Sequence, residues 1–196
     1  MIMKANTSKI IRFITLGAAA TFWLVGPAGV FNAAAATNGN RGQLSSQDYK
    51  FVTDAAQGGM MEVTLGQLAT QKATDPAVRD FGQRMVQDHQ KANEQLMEIV
   101  SQKGATLPAN AEGKEQGTME HLKSLSGTDF DKAYIKHMVS DHKKDVKEFE
   151  KAAQKSQDPD LKAFANKTLP VLQEHLSMAE SVKGKVAGEK SQSKAE

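Results

Sequence analysis

Two Asp-Pro pairs, Asp75-Pro76 and Asp158-Pro159, constrain this chain most, because each divides a long helical pattern in two with only a few residues between the halves. Aspartate caps a helix N-terminus, and proline at the first helical position gives up an N–H that has no intrahelical partner anyway. Ser45-Ser46-Gln47-Asp48 reads as a capping-box start for the first helix, which is predicted to run to about Lys72. The second is predicted from Pro76 to about Lys103, with Gly104 as its C-terminal stop. Thr128 with Asp131 is expected to start the third, which ends near Lys155, and Asp158-Pro159 starts the fourth, which ends near Gly184.

Helices of ~25 residues are ~40 Å long, and such short turns force each pair into an antiparallel hairpin. The link from Ala105 to Gly127 is far longer, long enough to cross the whole bundle as in ferritin-like folds. It contains Met119-Glu120-His121-Leu122, which reads as a short extra helix. The expected fold class is all-α: an antiparallel four-helix bundle over residues 45–184, with a long crossover between its two hairpins. Strand patterns are absent from the sequence.

Upstream, Lys4, Lys9 and Arg12 form a basic n-region before an apolar run from Phe13 to Phe31. Gly26-Pro27 and Gly29 interrupt that run, and Ala33 to Ala36 supply a small-residue cleavage site. Residues 1–36 are therefore expected to be a signal peptide, 37–44 a short polar lead, and the Lys-, Ser- and Glu-rich 185–196 a disordered tail. The mature protein is expected to be periplasmic or secreted, with no membrane span after cleavage. With no cysteine in the chain, disulfides, thiolate metal sites and a lipid-anchored cysteine are excluded. Without its first 36 residues the chain keeps 22 basic against 23 acidic residues and no basic stripe with interleaved aromatics, which argues against nucleic-acid binding.

The buried stripe of each predicted helix, followed at spacings of three and four, is apolar or small except near its middle. The second reads Val78, Phe81, Met85, His89, Ala92, Leu96; the third Phe130, Tyr134, Met138, His142, Asp145, Phe149. The fourth reads Leu161, Phe164, Thr168, Leu172, His175, Met178, and the first Val52, Ala55, Gly59, Glu62, Gly66, Ala69. Glu62 lies thirteen residues before Asp75 and His89 fourteen after it; His142 lies sixteen before Asp158 and His175 seventeen after it. Within each hairpin the two polar groups are thus level to about one residue's rise, ~1.5 Å.

Burying such groups unpaired costs several kcal/mol, so they must satisfy one another or a ligand. Glu62, His89, His142 and His175, with Asp145 one turn from His142, are the candidate ligands of a divalent zinc, iron, manganese or copper ion. A metal-free network of the same histidines and carboxylates is the alternative. Asp88, Asp141 and Glu174, each immediately before one of these histidines, are expected at the surface or behind the ligands. His121 and His137 are expected at the surface. Gly58-Gly59 and Gly66 are expected to let helix backbones approach closely.

Phe51 to Val63, Val78-Arg79-Asp80-Phe81-Gly82, and Met85 to His89 resemble segments of a family of exported bacterial proteins often labelled "predicted outer membrane protein". So do Phe130-Asp131 with Tyr134, Met138 to His142, Leu169-Pro170, and His175-Leu176. The resemblance implies a ferritin-like four-helix fold and export, and brings no assigned activity. Di-iron ferritin-like proteins carry Glu-x-x-His on two helices, whereas Val86, Val139 and Leu172 stand three residues before these histidines. A single metal fits this donor set better than two irons. No nucleophile–base constellation or phosphate-binding glycine loop is present, so the sequence leaves enzymatic activity open and implies no organic cofactor. Three functions remain: a metal-handling or stress-protective envelope protein, a metal-free structural or interaction protein of the envelope, and an oxidoreductase or peroxidase using a single redox metal.

Overall fold

The computed structural model describes residues 39–108 and 116–192. The expected signal peptide and residues 193–196 lie outside the described residues. Five helices account for the fold: α1 (Ser46–Lys72), α2 (Pro76–Gln102), the short α3 (Gln116–Ser124), α4 (Gly127–Lys155) and α5 (Pro159–Gln192). The fold is all-α, and β pairing among the described residues is limited to an isolated bridge between Asn40 and Thr106. No helix among the described residues is long and apolar enough to cross a membrane.

Local chemistry sets most helix ends where the sequence places them. The Ser45 hydroxyl accepts from the Asp48 amide and donates to the Asp48 carboxylate. Asp75 caps α2 through the Ala77 amide, and Asp158 caps α5 through the amides of Asp160 and Leu161. Gly104, at φ +64°, turns the chain after α2.

Two ends differ from expectation. α4 starts at Gly127, with Ser126 in the cap position and making no side-chain cap bond. Asp131 turns away from its own helix: it accepts from the Thr74 amide at 3.1 Å, the Asp75 amide at 2.9 Å and the Thr74 hydroxyl, capping the α1–α2 turn. α5 runs past Gly184 to Gln192, because Val182 and Val186, one turn apart, both bury against the core.

Asp48 mirrors Asp131 at the opposite end. Its carboxylate accepts from the Ser156 hydroxyl at 2.6 Å and from the amides of Gln157 and Asp158 at 3.2 Å, capping the α4–α5 turn. The start of each hairpin thus closes the turn of the other. α1 and α4 consequently run in opposite directions, and α2 runs parallel to α4, so the end of α2 and the start of α4 lie at opposite ends of the bundle. Lys103 at the end of α2 pairs with Asp158, at 2.8 Å, and with Asp160 at the start of α5.

α1 packs along α2 and α4 along α5, with lighter α2–α5 and α1–α4 contacts. The first pair approaches most closely at Gly66 and Gly82, where a Cβ on Gly66 would lie 2.7 Å from the Gly82 carbonyl oxygen. A Cβ on Gly59 would meet only the Asn93 side chain, and one on Gly58 would meet nothing. The close approach expected of this helix therefore comes from Gly66 alone. The apolar core forms two clusters, one around Phe81, Met85, Phe130, Tyr134 and Met138, the other around Val52, Leu96, Phe149, Leu161 and Phe164. Apart from Met61, which packs against the first, neither cluster includes residues 57–64, 86–91, 140–145 or 173–175, and the four polar side chains of the buried stripes fall in that gap.

Candidate metal centre

The turn-to-centre counts that are level in sequence are level in space. Glu62 from α1, His89 from α2, His142 from α4 and His175 from α5 meet in the middle of the bundle, with exposures of 2, 6, 0 and 0%. Ring centroids lie 5.7 Å apart for His89–His142, 5.3 Å for His89–His175 and 5.4 Å for His142–His175. One nitrogen from each imidazole lies within 4.8 Å of the other two.

What stands behind each ring fixes its tautomer. Glu62 Oε2 lies 2.9 Å from His89 Nδ1, and its Oε1 lies 3.4 Å from His142 Nδ1. The Met138 carbonyl oxygen is 3.1 Å from the same His142 nitrogen, and Asp88 Oδ2 is 2.8 Å from His175 Nε2. Carbonyl and carboxylate oxygens only accept, so the facing ring nitrogens must carry the protons. In the neutral rings the lone pairs then sit on His89 Nε2, His142 Nε2 and His175 Nδ1, and these three buried nitrogens have no hydrogen-bond partner among the described residues.

The electrostatics keep the rings neutral. Burial pushes His89 down to about 4, against the opposing pull of Asp145, Asp88 and Asp141. Burial likewise lowers His175 to about 4 and lowers His142. A neutral imidazole is the form that ligates metals. Asp145 joins Glu62 and His142 in a second group whose potential ligand atoms lie within 4.8 Å of one another. Burial, and then the neighbouring Glu62 and Asp141, push the Asp145 carboxyl up to about 9. A cation bound beside it would reverse that preference, since it favours the ionised form.

All five residues expected to form the site are brought together. Of the three acids preceding the histidines, Asp88 bridges helices by bonding both His175 and Arg84. Asp141 is buried 3.5 Å from Lys144, and Glu174 is exposed. The pairing of Asp88 with His175 is absent from the sequence reading; its one trace is the Arg84/Asp88 spacing of four, which orients that carboxylate. His121 is exposed on α3, and His137 is half-buried on α4. The fully buried Tyr134 hydroxyl, with no hydrogen-bond partner, is a further polar group on the same stripe as His142.

Two cavities reach the layer. A small one of about 30 Å³, lined by all four long helices, touches Glu62, Asp145 and His89. A larger one of about 130 Å³ lies between α2 and α5 and ends on His89 and His175.

The family model described as a domain of unknown function, DUF4142, matches residues 33–182. No curated protein matches the sequence. Among solved structures, a DUF305 fragment from Deinococcus radiodurans is 14% identical, with a TM-score of 0.63 over 72% of this chain and 98% of that one. CopM in its Cu(II)-bound form is 12% identical, with a TM-score of 0.60 over 70% of this chain and 96% of that one. CopM in an Ag-bound form, obtained by soaking, is 14% identical, with a TM-score of 0.58 over 71% and 94%. At such identities the likeness concerns the fold alone.

Proposed function

This chain belongs to the DUF4142 family of domains of unknown function, and we propose that it holds a single divalent transition-metal ion in the middle of its bundle, in envelope metal handling or stress protection. One observation carries the reading. Three neutral imidazoles from three helices turn unpartnered lone pairs toward one another in the bundle interior, at a cost that an electrophile would remove. His89, His142 and His175 are the ligands. Glu62 orients the first two and Asp88 the third, in the carboxylate–histidine arrangement that raises ligand basicity. Asp145, beside Glu62, supplies a further carboxylate.

A thiolate-free imidazole set suits copper or zinc ahead of the hard cations, and copper(II) heads the affinity order at a site of this kind. That the similarly folded CopM was solved with Cu(II) and with silver supports copper as the first ion to try, with zinc, iron and manganese beside it. Bound here, the ion would supply Lewis-acid or redox chemistry, while the chain's own groups fix the rings and exclude bulk water. We read the bundle as ferritin-like from the crossover that parallel α2 and α4 require. Export to the periplasm or beyond rests on the n-region, apolar run and alanine cleavage site of residues 1–36.

Glu62 bridging His89 and His142 favours a second reading, in which the layer is a metal-free polar network of an envelope interaction protein. Metal content per chain, measured by mass spectrometry on protein purified without a metal-binding tag, decides between them. Near-stoichiometric metal that disappears in His89→Ala/His175→Ala supports the metal centre. An empty protein that also gains no thermal stability from added copper, zinc, iron or manganese leaves the network reading.

A further inference from the structure

The groove between α2 and α5 is more than an opening onto the histidines. It ends on two buried imidazoles, His89 and His175, each with a ring nitrogen that has no partner. Its walls are apolar, formed by Ala92, Val171 and Leu172. Two lysines line it, Lys91 and Lys167, and neither forms an ion pair among the described residues. Lys167 donates to the neutral Gln95 amide oxygen at 3.2 Å, across from α5 to α2. The one carboxylate in the lining, Asp88, is already engaged by Arg84 and by His175 Nε2. Other lysines of the bundle do pair with acids: Lys50 with Asp54, Lys103 with Asp158 and Lys143 with Glu180.

We propose that this groove binds a small monoanion, of carboxylate or azide size, as an exogenous ligand of the ion held by the histidines. The inference rests on the metal reading above. The size follows from the volume: about 130 Å³, against roughly 30 Å³ of liquid volume per water, admits an anion of about three to five heavy atoms. The sign of charge follows from the rim. Two lysines without acidic partners raise the local concentration of anions and leave a half-desolvated site short of negative charge. The requirement for metal follows from the floor. The lone pairs of neutral His89 and His175 repel an anion while the ligands are empty, and an ion drawing on those lone pairs reverses that. Anion and metal therefore bind with positive coupling, each tightening the other by the same factor. The small cavity near Glu62 and Asp145, which adjoins the groove at His89, Ala92, Thr168 and Leu172, is acidic and offers an anion no counter-charge.

The test titrates sodium azide, at constant ionic strength, into the purified full chain loaded with copper(II), following the copper absorption spectrum. Saturable one-to-one binding is expected. In Lys91→Gln/Lys167→Gln, azide affinity should fall about fivefold while copper content and copper affinity in the absence of azide stay unchanged. Ala92→Leu, which narrows the groove without disturbing helix propensity, should weaken azide in the same way. Copper that is bound but insensitive to azide overturns the anion site and leaves the metal centre standing. Azide binding that is equal in the parent and in both variants places the open side of the ion away from this groove and also overturns the proposal. A chain that binds no copper removes the metal reading itself, and with it this site.

Discussion

Asp48 and Asp131, at the two ends of the bundle, are as withdrawn from water as Glu62 and the three histidines at its middle, yet the two kinds of region resolve their buried polarity in opposite ways. At the ends, each carboxylate gathers amide and hydroxyl donors from a facing turn and leaves none of them short. At the middle, every histidine has one nitrogen held from behind and the other facing its neighbours with no partner. A buried polar group that the chain satisfies internally is architecture; one held from behind and left open in front has a lone pair to offer, which is the basis of the metal reading proposed above.

Removing an end should give the largest effect. Asp131→Ala strands the Thr74 amide and hydroxyl and the Asp75 amide, and a loss of about 2–4 kcal/mol in urea unfolding is expected, with metal content unchanged. A loss under about 1 kcal/mol would mean that water substitutes freely at the turn and that the contrast with the middle is weaker than drawn. Filling the middle comes next. A metal at a hundred times its dissociation constant should add about 2.7 kcal/mol, read as a rise in Tm that His175→Ala abolishes. A parent protein indifferent to metal would make the middle as self-sufficient as the ends.

Acid should act on the middle through its histidines. In the folded metal-free chain His89 and His175 take up protons only near pH 4, whereas in the unfolded chain they do so near 6.5, an ordinary imidazole value. Between those values the unfolded state binds more protons, so stability is fully present above about 6.5 and is lost as pH falls toward 4. About 2–3 kcal/mol should go between pH 7 and 5.5, and His89→Leu/His175→Leu should flatten that slope. The smallest effect lies among the glycines of α1. Gly58→Ala, with open space at its Cβ, should gain about 0.5–1 kcal/mol of helix propensity in thermal unfolding. Gly66→Ala, which drives a Cβ against the Gly82 backbone, should lose stability instead.

The punctuation of the helices was legible because it is local: Ser45, Asp75, Gly104 and Asp158 act within a few residues of where they stand. The shared level of the site was legible too, since residue counts from a tight turn translate directly into height along a hairpin. Asp131 was misread because a carboxylate in a first turn suits both its own helix and a facing turn, and only the packing of the hairpins decides between them. The end of α5 was missed for a related reason: Gly184 is a plausible stop until Val186 finds a core to bury in. Asp88 could not be assigned to His175 from spacing, because the pair joins α2 to α5 across a gap of 87 residues. The direction in which each ring turns, Nε2 inward for two and Nδ1 for the third, depends on such partners and leaves no mark in the sequence.

The reciprocal caps at the two ends have a mechanical consequence. Sliding one hairpin along the other by a single helical rise, ~1.5 Å, would strip donors from Asp48 and Asp131 at the same moment. The caps therefore oppose lengthwise shear between the hairpins, while the Asp88–His175 bond and the Lys103 ion pairs hold α2 against α5. Histidines contributed by different hairpins are thereby kept at one height. Stops at both ends of the bundle, eleven and fourteen residues from His142 and Glu62 along their helices, act as a caliper for a site they never touch.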